Sequence, residues 1–110
     1  MIKDSLALEI GILEANLNEI RDFAIKYPNI EKIVLYGSRA KGNFKPGSDL
    51  DMVLIGNELQ LKDQISFWGD LDDSYQPYFF DVAIMSHIKN ESLLDHIRRV
   101  GKVIYINPMI

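Results

Sequence analysis

A chain of 110 residues, 47% hydrophobic and 25% charged, has the size and composition of one folded core rather than of a disordered or fibrous segment. Its net charge of −4 argues against a general electrostatic grip on nucleic acid, while a local basic pocket stays open. With no cysteine, a disulfide framework and a thiolate zinc site are excluded. No apolar run nears the roughly 18 residues of a membrane span. MIKDSLALEI lacks the apolar core and cleavage site of a signal peptide. The expectation is a single cytoplasmic domain over 1–110.

In chain order, Leu6, Ile10, Leu13, Leu17, Ile20 and Ala24 recur in steps of four and three, predicting one long amphipathic helix. Asp4 or Ser5 would cap it, and Tyr27-Pro28 would end it. Its steps also suit a coiled-coil seam, which leaves a homodimer or hetero-oligomer open. KIVLYG reads as a buried strand stopped by Gly37, and DMVLIG as a second stopped by Gly56. Leu61, Ile65 and Trp68 give a shorter helical face, and YFFDVAIM, from Tyr78 to Met85, reads as a third strand. Phe67 and Trp68 are expected in the core. The wider stretch SFWGDLDDSYQPYFF has enough aromatics for a partner surface. Asn90 would cap a last helix carrying Leu93, Ile97 and Val100, with Gly101 as its stop and VIYI as a closing strand. The fold class is α/β (α+β): a small mixed sheet flanked by helices.

The turn after the first strand can take phosphate. Free N–H groups and a helix start attract anions; Gly37 permits close approach, Ser38 adds a hydroxyl, and Arg39 and Lys41 add charge. It is not a P-loop. Gly37 and Gly42 have the right separation, but Asn43 and Phe44 follow, where that motif needs lysine and a hydroxyl residue.

Asp49 and Asp51 share one face of a strand, about 6.5 Å apart. Two like charges so placed repel unless a cation lies between them, as in two-magnesium phosphoryl-transfer sites. A calcium loop is excluded because its fifth and twelfth positions would be Val53 and Gln60. Asp81 interrupts an apolar strand, where a carboxylate is expensive unless paired or metal-bound. If that strand lies beside the second, about 4.8 Å away, Asp81 completes a three-carboxylate cluster. On an edge strand it could face solvent instead.

Gly37-Ser38, ten residues, Asp49-Leu50-Asp51 and a later strand aspartate, Asp81, together resemble the nucleotidyltransferase superfamily that includes DNA polymerase β. GSRAKG and SDLDMVLI are similar to the minimal, single-domain (MNT) branch. The resemblance implies the polymerase β-like nucleotidyltransferase fold. It also implies transfer of a nucleoside monophosphate, AMP from ATP, to a hydroxyl, with two Mg2+ ions. Asp49 and Asp51 would bind both ions, and Asp81 the one beside the acceptor. Gly37, Ser38, Arg39 and Lys41 would bind phosphate. The implied partner is a HEPN-domain toxin, neutralised by adding AMP to a tyrosine. The alternative is a non-catalytic antitoxin that acts by occlusion. An aminoglycoside-type transferase subunit ranks below both. His87 and His96 show no metal spacing and read as surface or cap residues. Arg98, Arg99 and Lys102 suit the end of the last helix, and Asp70, Asp72 and Asp73 read as solvated.

Overall fold

The computed structural model describes residues 6–110. The N-terminal stripe forms two helices, α1 (Leu6–Ile10) and α2 (Glu14–Ala24), where one was expected. Gly11 is the cause. It adopts the left-handed φ of +75°. The N–H groups of Gly11 and Ile12 turn back to the carbonyls of Leu8 and Ala7, the paired bonds of a Schellman ending. The break leaves Leu13 exposed while Ile10, Leu17, Ile20 and Ala24 stay buried, so no continuous seam runs along the stripe. The expected caps Asp4 and Ser5 lie outside the described residues.

Four strands follow the expected segments: β1 (Lys32–Tyr36), β2 (Leu50–Ile55), β3 (Phe80–Ile84) and β4 (Lys102–Ile106). They form one mixed sheet in the order β3-β2-β1-β4. β1 runs antiparallel to β2 and β4, and β2 runs parallel to β3. A parallel pair needs a crossover. Here it is α4 (Leu61–Asp72). A single helical turn, α3 (Ser38–Lys41), follows β1, and α5 (Glu91–Val100) precedes β4 with Asn90 as its cap.

Alternation along the strands divides the sheet into two faces. Ile33, Leu35, Leu50, Met52 and Leu54 point into the main core, against Leu17 and Ile20 of α2 and Phe67 and Leu71 of α4. Val34, Tyr36, Val53 and Ala83 point the other way, under Leu93 and Ile97 of α5. At about 25 cal/mol per Å² of buried apolar surface, the larger cluster dominates the stability. The smaller cluster positions α5.

α4 is turned differently from the sequence expectation. Leu61, Ile65 and Trp68 are 58%, 58% and 42% exposed, and the buried residues are Asp63, Phe67 and Leu71. A capping box sets this orientation: Gln60 and Asp63 bond each other's backbone, and the same Asp63 carboxylate accepts from the Asn29 amide. With Asp63 held inward, Phe67 and Leu71 follow at steps of four. Among the described residues, no helix is long and apolar enough to cross a membrane.

Candidate active site

β1 ends at Tyr36, and the chain turns at Gly37 with φ +77° and ψ −160°, a region open essentially to glycine alone. Geometry and space both demand it: a Cβ at Gly37 would run into the Asp51 carboxylate. The turn is tied down from a distant part of the chain, because the Gly37 N–H donates to His96 Nε2 at 3.1 Å. That bond requires His96 to be neutral at Nε2, with its proton on Nδ1. Ser38 opens α3, and Gly42 closes it at φ +91°, donating to the Ser38 carbonyl.

Tyr36 on β1 stands opposite Asp51 on β2, which stands beside Asp81 on β3. The three form one row across three strands, on the face that α5 partly covers. Asp49 lies just ahead of β2 and is exposed, as is Asp81. Asp51 is half-buried, and its carboxyl is pushed above the usual range by burial, then by the charges of Asp81 and Asp49. Burial, with Asp81 and Asp51 nearby, pushes the Tyr36 hydroxyl up to about 12. Tyr36 therefore stays protonated at neutral pH.

Among the described residues, none of the three aspartates has a hydrogen bond or an ion pair, whereas the other acidic contacts, such as Asp70 with Lys26 and Asp95 with Arg99, are paired. Adjacent hard oxygen donors that destabilise one another and lack a counter-charge suit a divalent cation such as Mg2+. Among the described residues, no three His, Asp or Glu side chains are already gathered tightly enough to enclose an ion. The directly facing pair is Asp51 and Asp81.

Arg39 departs from expectation. It is fully buried, and its guanidinium donates to four carbonyls: Ser48, Ile10, Gly11 and Pro46. It also lies 5.2 Å and 5.0 Å from the ring centres of Phe44 and Tyr78. A guanidinium so engaged has no free face for phosphate. Its role is to cap the end of α1 and hold the loop that leads to Asp49. Lys41 is exposed beside the turn. His96, expected as a surface or cap residue, is half-buried against the turn and edge-on to Tyr36, with ring centres 6.2 Å apart. Its spacing of three from Leu93 was the sequence signal that it borders the buried stripe of α5.

A mixed sheet with a glycine turn set against unneutralised carboxylates is the architecture of a nucleotidyltransferase. The chain belongs to the polymerase beta nucleotidyltransferase family, whose model matches residues 18–108. A comparison with curated proteins finds no match. Among solved structures, a chain from a toxin–antitoxin complex with AMP-PNP is 19% identical, with 86% of this chain and 76% of that chain covered and a TM-score of 0.67. A mutant MntA–HpeT toxin–antitoxin complex gives 16% identity, 84% and 75% coverage and a TM-score of 0.66. A complex of tri-AMPylated Shewanella oneidensis HEPN toxin with MNT antitoxin gives 17%, 87%, 74% and 0.59. At these identities the likeness establishes the fold.

Proposed function

We propose that this protein is a Mg2+-dependent nucleotidyltransferase that moves AMP from ATP to a hydroxyl of a protein partner, a tyrosine of a HEPN-type toxin, and so acts as its antitoxin. The observation that carries the reading is the Asp51–Asp81 pair, in register beside Gly37 and without a counter-charge. Support for the substrate and partner comes from the structural neighbours, one holding AMP-PNP and one containing a tri-AMPylated HEPN toxin.

Gly37 lets the triphosphate approach the backbone. Its own N–H is occupied by His96. Phosphate binding therefore falls to the Ser38 hydroxyl and the amides that follow, with Lys41 compensating charge. Asp49 and Asp51 would hold the cations, and Asp81 would join them on the acceptor side. Bound Mg2+ supplies charge neutralisation and lowers the pKa of the attacking hydroxyl. The acceptor oxygen bonds to the α-phosphorus, the bond from that phosphorus to the β-bridging oxygen breaks, and pyrophosphate leaves. Asp81, exposed at the sheet edge, takes the acceptor proton. Incubation with Mg-ATP and a HEPN-type partner is expected to add an AMP-sized mass to the partner, and Asp51→Asn is expected to abolish the gain. A stable complex without any mass change would instead favour occlusion.

A further inference from the structure

The glycine turn is held by a residue that belongs to neither the sheet nor the turn. His96 sits on α5, 59 residues further along the chain, and its Nε2 accepts the Gly37 N–H at 3.1 Å. Its ring also stands edge-on to Tyr36, with 82° between the two planes. Packing alone does not call for an imidazole here. Leu93 and Ile97 already seat α5 on Val34, Tyr36, Val53 and Ala83, and an apolar ring at position 96 would fill the same space. What histidine adds is an acceptor at the edge of the ring, aimed at one backbone amide.

That amide matters because of what glycine leaves undecided. Without a Cβ, Gly37 reaches negative φ about as readily as its observed +77°, so the turn has no intrinsic preference for the form it takes. A reversal would redirect Ser38 and Lys41, which follow it, relative to the carboxylate row. The bond to His96 fixes the plane of the Tyr36–Gly37 peptide and removes that freedom. The same glycine lies against the Asp51 carboxylate, where a Cβ would not fit. The spacing between turn and carboxylate is thus set by a contact from outside both. α5 is a firm platform for that contact. Its start is capped by Asn90, which accepts the Leu93 N–H at 3.1 Å, and at its end Gly101 packs too closely on Val34 to admit a Cβ.

We propose that His96 is the positioning residue of the phosphate-binding turn: its acceptor nitrogen holds Gly37 in the conformation that presents Ser38 and Lys41 to a triphosphate. This role rests on the nucleotidyl-transfer reading, and its test requires no turnover. By NMR, the Gly37 amide should exchange slowly with solvent in the parent and faster in His96→Phe, which keeps an aromatic ring but offers no acceptor. Calorimetry should show Mg-ATP binding to His96→Phe weakened about tenfold, the scale of one lost hydrogen bond. Binding of AMP, which lacks the β- and γ-phosphates, should be little changed. His96→Gln, which returns an acceptor at similar reach, should recover most of the ATP affinity. A role in folding alone would lower urea stability and leave the ATP affinity of the folded variants unchanged, and that result would overturn the assignment. So would a freely exchanging Gly37 amide in the parent, an equal loss of ATP and AMP binding, or no recovery in His96→Gln. If the parent binds Mg-ATP and His96→Phe binds it equally well, His96 loses this role and the transfer reading stands. If the parent binds no Mg-ATP, the transfer reading falls and takes the assignment with it.

Discussion

Any side chain at position 37 would meet the Asp51 carboxylate, so the turn and the carboxylate cannot vary independently. Asp51 is also where stability and activity oppose each other. Its pKa is raised in the folded state, so the native protein holds that proton more tightly than the unfolded chain. The ionised form therefore destabilises the fold above the raised pKa, and the effect fades as pH falls through it. Asp51→Asn is expected to be more stable than the parent at neutral pH by about 0.5 kcal/mol, the scale of a solvent-screened charge. Urea unfolding should show that gap closing as the pH is lowered through the carboxylate range, with Mg2+ raising the Tm of the parent alone. The glycine turn at Gly37 and the strand position of Asp51 were legible because a turn and alternating strand residues leave a local spacing. Arg39 and His96 were misread because burial and a contact 59 residues away leave none.

The helices show what periodicity carries and what it omits. A stripe of apolar residues predicted α1 and α2, but the stripe continues through Gly11 unaltered, and only the left-handed turn there divides it. In α4, Leu61, Ile65 and Trp68 share a face, and so do Phe67 and Leu71. Spacing identifies both stripes without ranking them, and the Gln60–Asp63 cap decides which turns inward. Arg39 joins these local structures by bonding the end of α1 and the loop over Pro46–Ser48 at once. A lysine offers three donors from one point and cannot span that set. Arg39→Lys should therefore cost about 3 kcal/mol, as expected when a buried, multiply bonded cation loses its partners. Chemical denaturation would measure it. Unchanged stability with weakened ATP binding would return Arg39 to the phosphate site.

Across the whole molecule, one sheet serves two purposes. Its main-core face supplies most of the buried apolar surface, and its other face carries the row of Tyr36, Asp51 and Asp81. Both sheet edges are blunted by helix side chains: Arg21 bonds the Ile104 carbonyl on β4, and Gln64 and Trp68 bond β3. The strand segments and their helical alternation were evident from the sequence, but the order β3-β2-β1-β4 depends on pairings that no local pattern encodes. The most direct measurement of the central claim uses ATP labelled separately at the α- and γ-phosphates, incubated with Mg2+, this protein and a HEPN-type partner. Label from the α-position alone should remain on the partner, and Asp51→Asn should remove it. Label retained from the γ-position, or from neither, would contradict nucleotidyl transfer.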